Sequence, residues 1–334
     1  MQTDVHDITI IGGGPVGLYG AYYAGFRALR TQVIDSLGAL GGQVTALYPE
    51  KWIYDVAGFP KIMGRELVAN LVEQAMQYRP TVCLNETAET LLHEAGGVLR
   101  LTSDQGVHRT RALLITAGIG AFHPKTFKNP AIDSYEGRGL WYFIPRFDEF
   151  ADRRVLIVGG GDSAVDWANG LVGIARSITL IHRRGEFRAY EDSVKNLMRS
   201  PVHVRTFYEL RRLEGNPRIA RAMIFDNRTQ EEETLEVDAV VASLGFTSTL
   251  GPLQEWGLDL ESDSIRVNTH METNVPGVYA AGDIVTYPGK VKLIATGFGE
   301  AATAVNNITA YLNPKASLFP GHSSSQGIHA KAAP

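Results

Sequence analysis

Two stretches of the chain carry the same succession of positions: a continuous apolar run, a glycine-rich turn and a mixed apolar–polar segment. Residues 8–11 run into the glycine turn at 12–17, and residues 155–158 run into a second turn at 159–164. A short run that is apolar throughout, and that ends in glycines, is typical of a strand buried on both faces of a parallel sheet. Each stretch therefore predicts a strand–turn–helix unit.

The spacing of apolar positions predicts crossover helices over residues 18–29 and 164–174, and a later helix over 297–312. Four further apolar runs predict strands, at residues 81–84, 113–118, 239–245 and 277–283. Strands that alternate with helices indicate an α/β fold with two Rossmann-like dinucleotide-binding domains, whose ligands lie beyond the carboxyl ends of the strands.

The length of 334 residues suits two domains of ordinary size. The first predicted crossing between domains lies near residue 120, in a segment rich in proline and glycine, and the return crossing lies near residue 245. We therefore expect one domain in two parts, 1–120 and 246–334, and a second domain at 121–245.

Composition narrows the classes of function. A hydrophobic content of 44%, a charged content of 20% and a net charge of −4 indicate a globular protein without a general attraction to nucleic acid or anionic membrane. No apolar run approaches the roughly 20 residues of a membrane span, and the first residues lack a signal-peptide pattern, so a cytoplasmic protein is expected. The single cysteine, Cys83, excludes an intramolecular disulfide and argues against a metal site.

The first glycine turn has the spacing of a dinucleotide-binding turn. Gly12 permits the tight bend, Gly14 lets backbone N–H groups approach a pyrophosphate, and Gly17 allows the helix to pack on the strand. Val16, within the same turn, is also predicted to contact the cofactor. Asp35 ends the next apolar segment, where its carboxylate can accept hydrogen bonds from both hydroxyls of an adenine ribose. This turn is predicted to bind a dinucleotide whose ribose hydroxyls are free. Paired with a second turn suited to a phosphorylated ribose, it points to FAD in the domain at 1–120 and 246–334 and to NADPH in the domain at 121–245.

The second turn repeats the pattern, with Gly159 and Gly161 in the same roles and Ala164 at the third position. A basic cluster stands where an acid would bind a free ribose; it consists of His182, Arg183, Arg184 and, if the segment is helical, Arg188. Guanidinium groups pair with a 2′-phosphate that a carboxylate would repel, so the cluster favours NADPH over NADH. A solvated basic turn is the alternative interpretation.

Asp283 ends the apolar strand at 277–283, where a carboxylate without a partner would be costly. The ribityl hydroxyls of a flavin would satisfy it, and a cap on the next turn is the alternative. The helix that follows could place its positive end near a reduced flavin ring.

The chain resembles the two-domain flavoprotein reductases of the thioredoxin reductase type, and within them the thioredoxin-reductase-like ferredoxin–NADP reductases. The resemblance covers nearly all residues, and its motifs lie at residues 41–43, 47–51, 54–60, 182–188, 281–283 and 322–324. Thioredoxin reductase has a Cys-x-x-Cys pair shortly before its second glycine turn, whereas residues 139–146 contain no cysteine. An enzyme dithiol therefore cannot carry electrons away from the flavin.

The resemblance implies the remaining roles. It assigns FAD contacts to Asp35, Gln43, Tyr48, Ala88, Phe122, Asp283 and Ser324. Tyr48 and His322 would stack on opposite faces of the isoalloxazine, with the C-terminal tail reaching the flavin of a partner subunit in a homodimer. Without the resemblance, Tyr48 is a core aromatic and His322 a loop residue. The implied electron acceptor is a ferredoxin or a similar iron–sulfur protein.

Three rival functions are compatible with some of these motifs. Another NADPH-dependent flavin reductase, acting on a quinone, a flavodoxin or an external disulfide, would share every nucleotide motif. A thioredoxin reductase is disfavoured by the single cysteine. A non-catalytic flavin-binding sensor would bind the same cofactors without turning over an electron acceptor.

Overall fold

A computed structural model describes residues 5–324, except for the side chains of Phe122 and His123. Its α-helices are Pro15–Phe26 (α1), Gly42–Leu47 (α2), Gly64–Met76 (α3), Pro130–Asp133 (α4), Asp162–Gly170 (α5), Glu191–Arg199 (α6) and Ile294–Leu312 (α7). Two short 3₁₀ turns lie at Phe147–Phe150 and Gly251–Glu255.

The strands in the described part are, in chain order, Val5–Ile11 (β1), Thr31–Asp35 (β2), Trp52–Ile53 (β3), Ile62–Met63 (β4), Thr81–Leu84 (β5), Ala88–Glu94 (β6), Val98–Ser103 (β7), Val107–Ile115 (β8), Ala121–Pro124 (β9), Leu140–Trp141 (β10), Arg154–Gly159 (β11), Ser177–His182 (β12), His203–Thr206 (β13), Tyr208–Glu214 (β14), Arg221–Asp226 (β15), Glu232–Glu236 (β16), Ala239–Ser243 (β17), Phe246–Thr249 (β18), Leu260–Glu261 (β19), Ser264–Arg266 (β20), Val278–Ala280 (β21) and Val285–Thr286 (β22).

The chain divides into two compact units. The first runs up to Ala46, resumes over Trp52–Ala121 and returns from Ser248 onward; the second comprises Phe122–Thr247 together with the short segment Leu47–Lys51. The sequence places the crossings near residues 120 and 245 and does not separate residues 47–51 from the first unit. Which nucleotide each unit binds stays a prediction.

The first unit is built on a seven-stranded sheet in the order β5-β2-β1-β8-β7-β6, with β21 also paired to β8. Strands β2, β5, β8 and β21 join this sheet in parallel, whereas β6, β7 and β8 pair antiparallel. The central strands are apolar because both faces are covered, and Ile8, Ile10 and Leu114 are fully buried.

The second unit holds a parallel five-stranded sheet in the order β10-β17-β11-β12-β13 and a separate antiparallel sheet, β14-β15-β16. Its two core clusters include Phe150, Leu156 and Ile157, which are fully buried. The glycine turn that follows β11 therefore lies at the carboxyl edge of a parallel sheet, as the turn after β1 does in the first unit.

The predicted helices are present, but their starts were placed too late. Helix α1 begins at Pro15 rather than residue 18, because proline at the first helical position has a suitable φ and no N–H to satisfy. Helix α5 likewise begins at Asp162 and ends at Gly170, and α7 begins at Ile294 instead of residue 297. In each nucleotide unit the helix thus starts directly from the second glycine of the turn.

Candidate functional site

The first glycine turn has geometry that only glycine permits at two positions. Gly12 has a φ of +104°, and a Cβ there would lie 2.6 Å from the carbonyl oxygen of Thr116. A Cβ on Gly17 would lie 1.9 Å from the carbonyl oxygen of Gly12, so α1 can approach the turn only without one. Thr116 holds the bend through its hydroxyl, which donates to the Gly12 carbonyl at 2.7 Å.

The second glycines of the two turns are equivalent. Gly14 is the N-cap of α1 and Gly161 the N-cap of α5, both with extended backbone and no capping side-chain hydrogen bond. A Cβ on either would meet nothing nearer than 3.9 Å. Each glycine therefore leaves an open space at a helix N-terminus, which a side chain would fill. Such a space is a suitable cradle for a phosphate group.

Asp35 lies beside the first turn, at the end of β2. Its carboxylate is buried, with 7% of the residue exposed, and accepts the N–H of Gly13 at 2.6 Å and that of Leu37 at 2.8 Å. Burial raises the pKa of Asp35, and the two backbone hydrogen bonds act in the opposite direction. Each oxygen keeps a second lone pair, so the carboxylate can still accept ribose hydroxyls.

Asp283 follows β21 and is half-buried. Within residues 5–324 no hydrogen bond or ion pair satisfies its carboxylate, and burial raises its pKa. The adjacent Gly282 packs on Val16, and so does Gly297, where a Cβ would lie 2.4 Å from Val16 Cγ2. A half-buried carboxylate without a partner fits a ligand that presents hydroxyl groups.

Gln43 and Ala88 are two further predicted FAD residues of the first unit. Gln43 lies on α2, with its amide nitrogen 2.7 Å from the position that a Cβ on Gly118 would occupy. Ala88 begins β6, two residues after Glu86, whose N–H donates to the carbonyl oxygen of Asp35 at 3.0 Å. The segment that carries Ala88 is thereby tied to the end of β2.

The third position of the second turn is Ala164, whereas the first turn has Gly17 there. A Cβ on Gly159 would lie 2.5 Å from the carbonyl oxygen of Ser243, whereas Ala164 is fully buried and its methyl group fits. His182 is buried with its ring over Gly160, and its Nε2 lies 3.0 Å from the carbonyl oxygen of Glu186. Burial lowers the pKa of His182, so the imidazole is neutral near pH 7.

The arginines of the basic cluster are exposed, unlike His182. Residues 183–190 form no helix, so the condition on which the Arg188 contact depended is not met. Arg188 instead reaches the turn through its backbone, because its N–H donates to the Gly160 carbonyl at 2.7 Å. Arg183 is fixed in turn by the Asn227 amide, which donates to its carbonyl oxygen at 2.9 Å.

The remaining predicted residues are less closely tied to the turns. Tyr48 is half-buried between α2 and β3 and belongs by its contacts to the second unit. His322 is exposed, and its ring meets that of Phe319 edge-on at 5.2 Å. Phe122 lies in β9 with a side chain outside the description, and Ser324 is exposed at the end of the described range. Their roles stay predictions.

One buried charged cluster was missed in the sequence. Lys290 and Glu300 each have 5% of their side chain exposed and form an ion pair next to the Gly282–Asp283 turn. The signal was available, since Glu300 is the only charged residue in helix α7. A lone charge on an apolar helix needs a buried partner.

The described residues carry neither a membrane-spanning helix nor a cluster of metal ligands. No helix there is both long and apolar enough to pass through a bilayer. Likewise, over residues 5–324 no group of three or more His, Cys, Asp or Glu side chains could hold a metal ion.

The chain belongs to the pyridine nucleotide-disulphide oxidoreductase family, whose sequence model matches residues 6–307. Among solved structures, it is similar to thioredoxin reductase of T. acidophilum, with a TM-score of 0.75 and 22% identity over 93% of this chain and 99% of that one. This likeness confirms the predicted fold class, two Rossmann-like domains in a thioredoxin-reductase-like architecture.

Curated relatives are much closer in sequence. A protein named ferredoxin–NADP reductase 2 from Bacillus pumilus is 52% identical over 97% of this chain and 98% of its own length. Another of the same name, from Shouchella clausii, is 51% identical over the same shares. The predicted resemblance to ferredoxin–NADP reductases is confirmed, and the predicted use of FAD and NADP(H) agrees with it.

Proposed function

We propose that the protein is an FAD-dependent reductase that oxidises NADPH and passes the electrons singly to a ferredoxin. The observation that carries the proposal is the pair of equivalent glycine cradles, one beside the buried Asp35 and the other beside three exposed arginines. Relatives that are half identical over nearly the full length, and that are named for this reaction, support it.

The residues of the first unit fit FAD. Open space beside Gly14 suits the pyrophosphate, Asp35 has acceptor capacity for ribose hydroxyls, and Asp283 lacks a hydrogen-bond partner among the described residues. When bound, FAD supplies the ability to accept a hydride and to release electrons one at a time. The chain supplies binding, orientation and a local field.

The residues of the second unit fit NADPH. Gly161 leaves space for the pyrophosphate at the start of α5, and Arg188 is held beside it by the Gly160 carbonyl. Arg183 and Arg184 follow at the end of β12, where their side chains can pair with the 2′-phosphate. The neutral, buried His182 supports the turn from behind, and a direct contact from it to the coenzyme stays a prediction.

Other parts of the proposal rest on the family resemblance. Tyr48 and His322 would stack on the isoalloxazine, while Gln43, Ala88, Phe122 and Ser324 would contact FAD. The same resemblance supports a homodimer, and a cytoplasmic location belongs to the proposal. No general acid or base is assigned, because hydride and electron transfer through a flavin need none from the protein.

Purified protein should be yellow, and NADPH should bleach its flavin absorbance rapidly. Added ferredoxin should then support repeated turnover, measured as ferredoxin-dependent cytochrome reduction, with NADPH a far better donor than NADH. A colourless preparation that cannot be reconstituted with FAD would refute the proposal. Bleaching without turnover on any acceptor would leave only the flavin-binding sensor.

The choice of acceptor needs its own comparison. Turnover with ferredoxin should exceed turnover with a flavodoxin, a quinone and a small disulfide at equal concentrations. Preference for one of those three would replace ferredoxin while retaining the NADPH and FAD assignments.

A further inference from the structure

Lys290 and Glu300 form a buried ion pair that no part of the proposed chemistry uses. Their side chains are 5% exposed, and Lys290 Nζ lies 2.5 Å from Glu300 Oε1. Removing two charges from water is costly, and a buried pair persists only where further hydrogen bonds satisfy it. The other partners of these two side chains therefore indicate what the pair is for.

Glu300 uses both carboxylate oxygens. Oε1 also accepts the hydroxyl of Tyr287 at 2.6 Å, whereas Oε2 accepts the backbone N–H of Gly282 at 2.7 Å. Burial and the adjacent Glu300 raise the pKa of Tyr287 to about 12, so this hydroxyl remains a donor at neutral pH. Oε1 of Glu300 thus binds two side chains, and Oε2 binds the backbone N–H of the residue directly before Asp283.

The helix that carries Glu300 is fixed against the same turn. Gly297, one helical turn earlier, would place a Cβ 2.4 Å from Val16 and 3.4 Å from the Gly282 Cα. Gly282 itself has a φ of +87°, which side chains rarely adopt. Glu300 therefore reaches a backbone of unusual conformation from a helix that packs closely on the same turn.

The charges of the cluster act on Asp283 with opposite signs. Burial raises the pKa of Asp283; Lys290 and Lys292 act in the opposite direction, and Glu300 adds to the increase. Lys290 is buried in the pair, while Lys292 is exposed, with its Nζ 3.4 Å from Ser264 Oγ. These three are the charged groups that face Asp283 from its own loop and from α7.

We propose that Glu300 and Lys290 are positioning residues for the flavin site: Glu300 fixes the Gly282–Asp283 backbone, and Lys290 offsets the charge of the Asp283 carboxylate. The proposal rests on the assignment of FAD to the first unit. It predicts that FAD affinity depends on a hydrogen-bond acceptor at position 300 and on the balance of charge around Asp283.

A matched pair of double variants tests the backbone anchor. K290M/E300Q and K290M/E300L both remove the ion pair, but only the glutamine retains an oxygen that can accept the Gly282 N–H. Titration of the apoprotein with FAD at about pH 8 should give a dissociation constant about tenfold higher for the leucine variant than for the glutamine variant. Equal constants, with both apoproteins folded by circular dichroism, would overturn the anchor.

Single variants test the charge balance through the pH at which FAD affinity begins to fall, measured between about pH 5 and 9. Affinity is lost as the pH falls through the pKa of Asp283, because hydroxyl groups need the carboxylate as acceptor. K290M should move the onset to higher pH and E300Q to lower pH. The exposed-lysine control, K292M, should move it upward by less than K290M.

Shifts in the same direction for K290M and E300Q, or no shift in either, would overturn the charge role. Asp35 also titrates, but it is unchanged in every variant and cannot produce opposite shifts. A wild-type apoprotein without affinity for FAD would refute the proposed function itself. Wild-type binding with identical constants and onsets in all variants would refute this inference alone.

Discussion

The imidazole of His182 lies directly against Gly160, where a Cβ would come within 2.2 Å of Nδ1. The ring also stacks on Phe187, with centroids 5.3 Å apart. A neutral histidine thereby packs against the second glycine turn. Within the basic cluster at residues 182–188, the positive charge therefore comes from the arginines. In this arrangement His182 supports the turn, and the predicted phosphate contacts are left to the arginines.

Removal of the exposed arginines should therefore affect NADPH selectively. We expect R183A/R184A to raise the KM for NADPH by about a hundredfold, since each charge-assisted hydrogen bond contributes roughly 1.5–3 kcal/mol. The KM for NADH should change by less than about threefold. R199A, at the exposed end of α6, is the control and should leave both constants unchanged. Equal losses with the two coenzymes would show that these arginines do not bind the 2′-phosphate.

Alanine at Gly14 or Gly161, the second glycine of each turn, should weaken cofactor binding without affecting folding. Gly14 and Gly161 have room for a Cβ and ordinary φ values, so G14A and G161A should fold normally. We expect G14A to lose FAD and G161A to raise the KM for NADPH by about tenfold or more while retaining FAD. The KM and the flavin content of the purified variants measure this.

G17A is the contrasting variant, because its Cβ would lie 1.9 Å from the Gly12 carbonyl oxygen. We expect it to unfold at a lower temperature than G14A by several degrees, in the absence of any nucleotide. If G17A were as stable as G14A, the close packing of helix and turn would not be the reason for glycine at position 17.

Cys83 should be dispensable for turnover. It is half-buried in β5, beside Gln32, and burial raises its pKa, so a reactive thiolate is disfavoured. C83S should retain ferredoxin-dependent activity within about twofold of the wild type. A loss of activity with flavin reduction by NADPH intact would reveal a sulfur relay and contradict the proposed route of electrons.

The second unit should lose stability in acid through Asp238. Arg154 donates two side-chain hydrogen bonds to this carboxylate, at 3.0 and 2.8 Å, and lowers its pKa to about 2. Because the folded-state pKa is depressed from 3.8, the stabilisation is present above about pH 4 and is lost as the pH falls toward 2.

Thermal unfolding between about pH 2 and 6 tests this expectation. D238N should unfold about 2 °C below the wild type at pH 6, and the difference should vanish near pH 2. D263N, at an exposed turn position, should match the wild type throughout. A constant difference across the range would indicate lost packing in D238N rather than a lost charge.

The sequence predicts the parts of the site whose requirements are local. Gly12, Gly17 and Asp35 are predicted because the bend, the helix contact and the carboxylate each depend on a position counted from one strand. The same counting located the arginines after β12. The helix starts were misplaced because apolar spacing does not register the N-cap glycine and the first-turn residues that follow it.

Long-range features were out of reach of such patterns. Arg188 is brought to the turn by a backbone hydrogen bond to Gly160, which no side-chain periodicity encodes. The Lys290–Glu300 pair joins a loop to a helix, and only the isolated charge of Glu300 hinted at it. The grouping of Tyr48 with the second unit follows from contacts between residues distant in the sequence.

Gly14 and Gly161 are structurally equivalent, which bears on how the coenzyme specificity of such a chain can change. Both units offer the same open space at the start of a helix, so these two glycines give no basis for a choice between nucleotides. On the proposed assignment, the preference depends on the few residues that follow the neighbouring strand. Exchange of that short stretch could convert a phosphate-requiring half into an indifferent one while the scaffold stays as it is.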